Sequence, residues 1–284
     1  MHLQLLKHVY YLPVLYLYSW LTCLLCIAGS SGAAGQSLTL VRQISQKPIV
    51  ALSVDNYNRV ITADVQGNIT AYDTLGNALY SYSSTVVANV TLLEAWRSMQ
   101  ILVFYRDLQQ YTLLDRFLTP LSGYPNPAPL PAGAVGFART MTFAYDDQFW
   151  LFDDTNFSLK KYNAQLQKIT VEVPLSLVLD AQEYHITWMR EYQNQLFIAD
   201  RNSGILVFDN LGNYRKTLPF KGLSHFQFAG EQIYFLEQNS LYFYNIYSQA
   251  TQRISMPVEA TFAIVVGARL FVYTKQGGYL YTLR

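Results

Sequence analysis

Thiols are missing from nearly all of this 284-residue chain, because its two cysteines, Cys23 and Cys26, both fall within the first 35 residues. Beyond that point no disulfide, thiolate metal site or cysteine nucleophile can form, and the fold must be held by its core alone. Histidine is nearly as scarce: only His185 and His225 follow the first 35 residues. Charged side chains make up 14% of the chain, and no basic run occurs. Lys7 is the only charged side chain among residues 1–35, which leaves 19 basic and 19 acidic groups in the remainder. A neutral body without a basic patch has no electrostatic drive toward nucleic acid or anionic lipid, so neither is expected as a partner.

What is abundant is apolar and aromatic surface. Hydrophobic residues reach 51%, with 23 Tyr and 16 Phe, which excludes disorder and favours a sheet-rich fold whose pleated faces are filled by rings. Residues 1–35 read as a targeting segment: a weakly basic start with Lys7 and His8, an apolar run from Val9 to Ile27, then AGSSGAAG. Cleavage after Gly35 would leave Gln36 first. The apolar run also approaches the length of a short membrane span, so an uncut signal anchor is the second reading. The expected location is outside the cytoplasm, periplasmic or extracellular, with no membrane insertion after leader removal and a membrane tether if the leader stays. Thr22 and Leu25 precede the cysteines where a lipoprotein signal wants a small residue.

Self-similarity is the strongest signal in residues 36–284. Six short apolar runs recur: VITAD from Val60, ILVFY from Ile101, FWLFD from Phe149, LFIAD from Leu196, IYFLE from Ile233 and LFVYT from Leu270. Their starts are 41, 48, 47, 37 and 37 residues apart, the spacing of four-stranded propeller blades. Each run sits among short strands and turns, and Gly-Asn pairs at 67–68, 76–77 and 212–213 supply the positive φ of tight hairpins. The expected fold is an all-β, six-bladed β-propeller with blades near 49–84, 90–119, 139–173, 185–219, 223–256 and 259–284. The last repeat has only three strands, so LTLVRQI (Leu38–Ile44), within 37–45, is expected to close the ring as its fourth.

The runs IADRNSGILVFDNLGNYRKTL in the fourth blade and ITADVQGNITAYDTLGNALYSY in the first resemble repeats of NHL-type, YncE-like and quinoprotein-like propellers. The resemblance implies a ring whose inner strands converge on a central channel. Its lyase branch implies a zinc site that His185 and His225, with Glu183 or Glu94, would have to supply. Its lactonase-like branch implies calcium held by Glu, Asn and Asp of several inner strands. Here those strands offer mainly Thr, Phe, Trp and Leu, with Glu94 the one obvious inner carboxylate and Arg97 and Arg190 near strand ends. No metal, cofactor or catalytic residue is therefore assigned, and the acidic residues at Asp64, Asp73, Asp153, Asp154, Asp200 and Asp209 are read as turn caps.

The candidate binding face is the one carrying the blade-to-blade loops. Two of these are long: 119–139, with Pro125, Pro127, Pro129 and Pro131, and 173–185, whose Leu175–Leu179 stretch should cover neighbouring strands. Trp96, Arg97, Tyr124, Phe137, Arg139, His185, Trp188 and His225 are the residues expected there. The function expected is a non-enzymatic scaffold that binds another envelope or extracellular protein. The alternatives are a metal-dependent hydrolase or lyase at the channel mouth, and a binder of small ligands or glycans.

Overall fold

The computed structural model describes residues 38–44, 47–84, 88–97 and 99–283. The targeting segment and its cleavage point lie outside the described residues.

Six four-stranded antiparallel sheets follow one another along the chain. After β1 (Leu38–Ile44), blade one is β2 (Ile49–Val54), β3 (Val60–Asp64), β4 (Asn68–Tyr72) and β5 (Ala78–Ser83). Blade two is β6 (Leu92–Arg97), β7 (Gln100–Tyr105), β8 (Gln110–Leu114) and β9 (Ala128–Pro129). Blade three is β10 (Ala138–Phe143), β11 (Phe149–Asp153), β12 (Ser158–Asn163) and β13 (Lys168–Pro174). Blade four is β14 (Ile186–Tyr192), β15 (Gln195–Asp200), β16 (Gly204–Asp209) and β17 (Tyr214–Leu218). Blade five is β18 (Gln227–Ala229), β19 (Gln232–Glu237), β20 (Ser240–Asn245) and β21 (Thr251–Ser255). Blade six is β22 (Phe262–Val266), β23 (Arg269–Thr274) and β24 (Gly277–Leu283). Its fourth strand is β1, antiparallel to β24, with Leu38 opposite Leu283 and Ile44 opposite Gly278. The only helical element among the described residues is a 3-10 turn at Arg106–Leu108.

The six apolar anchors of the sequence are the second strands of the six blades. They are buried on both faces, since each blade is covered on either side by its neighbours, and this is why they read as unbroken apolar runs rather than as alternations. The outermost strands β1, β5, β13, β17 and β21 are mostly exposed and correspondingly polar. The core lies at the seams between blades. One cluster joins β3 and β4 to β7 through Ile61, Ala63, Ile69 and Val103, while another joins blades three and four through Trp150, Phe152, Ile198 and Phe208.

Turn chemistry sets the register. Asp64 Oδ1 accepts from the N–H groups of Gln66 and Asn68, and Asp73 and Asp209 repeat the arrangement with Asn77 and Asn213. In all three, the Asn side chain donates back to the other aspartate oxygen. Gly76 and Gly212 have φ of +79° and +88°, and each is pressed against the previous blade's outer strand. A Cβ would stand 2.9 Å from Ile44 Cδ1 at Gly76 and 2.7 Å from Val173 Cγ2 at Gly212.

Blade two departs from the expected boundaries. Its outermost strand lies inside the segment read as one long loop, and that strand is broken. Pro120 bridges Leu114 and the Leu121 N–H bonds the Leu113 carbonyl at one end; Ala128 and Pro129 pair with Tyr111 and Gln110 at the other. The prolines prevent a continuous ladder, because they cannot donate to it. Only residues 130–137 then form the blade-to-blade connection. The connection before blade four covers its neighbours as expected: Leu175 and Leu179 are buried, although Leu177 stays exposed.

Candidate functional site

Every inner strand begins at one face of the ring, here called upper, with the blade-to-blade connections, and ends at the lower face in the hairpin to the second strand. Sidedness therefore follows from position along the strand, and it divides the candidate residues into separate groups.

Phe137, Arg139 and His185 lie on the upper face near blades three and four, and each is engaged within the protein. The Phe137 N–H donates to Asp153 Oδ1 at 3.1 Å, and the Arg139 guanidinium binds both carboxylate oxygens of Asp154, which also accepts from the Tyr184 hydroxyl. Burial opposes ionisation of Asp154, but Arg139 and Tyr184 hold its carboxyl below the ordinary range. The His185 N–H donates to Asp200 Oδ1 while its ring is exposed.

Trp188 and His225 stand together at the upper channel mouth, ring centroids 6.4 Å apart, with Phe262 5.1 Å beyond the imidazole. With Val50, Leu52, Thr91 and Thr187 they line a cavity of only about 150 Å³. Burial pushes the His225 pKa down to about 4. Trp188 Nε1 has no hydrogen-bond partner, and none of the described residues lining this cavity is Asp, Glu, Lys or Arg. Among the described residues, no three His, Cys, Asp or Glu side chains come together to hold a metal ion.

Tyr124 is not on the upper face. It lies in the broken edge of blade two and lines an outer groove of about 790 Å³ with Tyr111, Pro125, Pro129 and Tyr162.

Trp96 and Arg97 are also displaced from the expected face, because they are the last two residues of β6 and so reach the lower mouth. There they meet residues the sequence reading did not place in the site: Tyr145 from the hairpin after β10, and Arg190 and Tyr192 from the end of β14. With Asn56, Met99, Gln100 and Asp147 they line a cavity of about 590 Å³, drawn from the lower hairpins of blades one to four.

The wall of this cavity is built from the inner-strand edges outward. An inner strand has a free edge toward the channel, and its unpaired N–H groups need acceptors. Ser53 Oγ accepts from the Ala95 N–H at 3.0 Å, Glu94 Oε2 from the Phe143 N–H at 3.0 Å, and the Tyr234 hydroxyl from the Val265 N–H at 3.1 Å. Each is a side chain of one blade closing the edge of the next. Glu94 is fully buried, and its other oxygen accepts from the Thr142 hydroxyl at 2.7 Å. Burial pushes its carboxyl above the ordinary range against the opposing pull of Arg190 and of these hydrogen bonds.

Arg190 is only 8% exposed, yet its Nε has no partner, and no carboxylate among the described residues comes within ion-pair distance of it. Its Cζ lies over the Trp96 ring, 5.1 Å from the centroid. Burial lowers its pKa, but a guanidinium starts so high that it stays charged near neutrality. Arg97, by contrast, pairs with Asp147 and lies 5.1 Å over the Phe143 ring. The lower mouth thus combines three aromatic rings, one neutralised arginine at the rim and one unpaired arginine behind it.

No protein-family model matches the chain, and no curated protein matches it in sequence. Solved structures do match. Virginiamycin B lyase from Staphylococcus aureus superposes with a TM-score of 0.60 at 10% identity, over 88% of this chain and 99% of that one. A streptogramin B lyase gives 0.59 at 13% identity, over 88% and 97%. YCF48 bound to D1 peptide gives 0.55 at 8%, over 89% and 98%. At such identities the likeness shows the fold alone: the chain is a six-bladed β-propeller.

Proposed function

We propose that this protein is a non-enzymatic recognition module whose lower channel mouth holds part of another envelope or extracellular protein, the propeller itself being exported by its N-terminal segment. The observation that carries the reading is the cavity of about 590 Å³ walled by Trp96, Tyr145, Tyr192 and two arginines. Aromatic and arginine side chains dominate the energetics of protein interfaces, and a concave, partly apolar site with few polar groups is the usual form of a ligand pocket. The repeat grammar of blades one and four supports the narrower placement of the ring beside NHL-type and YncE-like propellers.

The neighbours in fold include both lyases and a propeller in complex with a peptide, so the fold alone favours neither role. Capture experiments separate them. Immobilised protein should retain a specific partner from envelope extracts of the cells that make it. The double variant Tyr145→Ala/Tyr192→Ala should release that partner, and Phe137→Ala on the upper face should not. Retention by the double variant, or loss with Phe137→Ala, would overturn the placement.

A further inference from the structure

The unpaired arginine gives the lower mouth a chemical preference. We infer that Arg190 is a carboxylate-binding residue, and that the group entering the cavity is the carboxylate of a peptide, carried beside an aromatic or apolar body that packs on Trp96, Tyr145 and Tyr192. The inference rests on the recognition site proposed above and adds the class of its ligand.

Five observations converge on it. Arg190 is 8% exposed and lines the cavity, and its Nε has no hydrogen-bond partner. A buried guanidinium left unpaired is costly, so a fold that keeps one gains from it elsewhere. The nearest carboxyl, Glu94, acts on it through space but forms no ion pair with it. Both Glu94 oxygens are taken up at the seam of blades two and three by the Phe143 N–H and the Thr142 hydroxyl. Arg97 is satisfied by Asp147, whose side chain is 81% exposed at the rim, so the cavity has one unmatched cation rather than a general positive surface. Arg190 Cζ lies over the Trp96 ring, and because its Nε is buried, the terminal nitrogens are the ones a planar, bidentate acceptor entering the cavity would meet. A cavity of about 590 Å³ has room for a side chain or a chain terminus and not for a folded surface.

The test compares an acid with its amide on the otherwise unaltered full chain. N-acetyl-phenylalanine should bind saturably, and N-acetyl-phenylalaninamide at least about tenfold more weakly, as expected when a charge-assisted bidentate contact is lost. Arg190→Met should reduce the acid to the level of the amide. A peptide ending in a free carboxylate, set against an end-blocked peptide with an internal Glu, identifies which carboxylate the site takes.

Equal binding of acid and amide, binding of neither, or undiminished acid binding in Arg190→Met would overturn the inference. The acid–amide comparison needs no substitution, so it holds even if Arg190→Met fails to fold. The two proposals fail separately. If acid and amide bind alike while Tyr145→Ala/Tyr192→Ala still releases the captured partner, the site stands without its carboxylate preference. If the acid binds selectively but the double variant keeps the partner, the carboxylate preference stands and the partner lies elsewhere.

Discussion

The two ends of the channel are built from the same six inner strands and differ in what those strands carry at their two ends. At the upper mouth Trp188, His225 and Phe262 close on one another and leave about 150 Å³. At the lower mouth the inner strands of blades two and four end in Trp96, Arg97, Arg190 and Tyr192, and the space is about 590 Å³. The rings at strand starts pack against one another and fill the upper opening. Which mouth is open is thus decided by a few terminal residues, and the ring architecture is common to both.

Two mouths exist only if the ring is closed, so the largest expected effect comes from opening it. Deleting residues 38–44 removes the outer strand of blade six and exposes β24, and it should lower the melting temperature by about 10 °C or more in calorimetry. An unchanged transition would contradict the closure. Next in size is Glu94→Ala, which strips the Phe143 N–H and Thr142 of their acceptor and Arg190 of its nearest carboxylate. It should cost about 3–5 kcal/mol in urea unfolding, with Glu94→Gln costing under half of that. Equal losses in the two variants would remove the seam's dependence on an acceptor.

The upper mouth has its own signature in pH. His225 has a folded pKa of about 4 against an ordinary value of 6.5, so below pH 6.5 the unfolded chain takes up a proton that the folded one refuses. Stability should therefore fall as pH drops from 6.5 to 4. After discounting for the partial exposure of the ring, the loss is on the order of 1–2 kcal/mol. His225→Phe should flatten that limb, and an unaltered acid limb would show that the imidazole is not desolvated. The smallest effect belongs to Arg97→Met. Its partner Asp147 is exposed at the rim, and the pair should contribute less than about 1 kcal/mol to unfolding.

These contrasts also mark what the sequence could and could not reveal. The six blades were legible because second strands buried on both faces must be continuous apolar runs, and their recurrence is countable. The broken outer strand of blade two was not legible: Pro120, Pro127 and Pro129 erase the alternation that identifies a strand, and only Ala128–Pro129 pairs as one. For the site, strand polarity decides which mouth a residue reaches. Trp96 and Arg97 end their strand whereas His185 precedes one, so a single face could not hold them all. Counting from the first inner-strand residue would have sent Trp96, Arg97, Arg190 and Tyr192 to the lower mouth together. The lack of a partner for Arg190 is a fact of three-dimensional packing, since nothing in the spacing of Glu94 and Arg190 says whether they meet.

The asymmetry of the two mouths is tested most directly by placing one photo-crosslinking residue at Met99, exposed at the lower cavity, and in a second protein at Ser224, beside the upper one. Irradiation in the cells that make the protein should give a discrete crosslinked species from position 99 and none from position 224. A species formed from position 224 alone, or equally from both, would contradict the account.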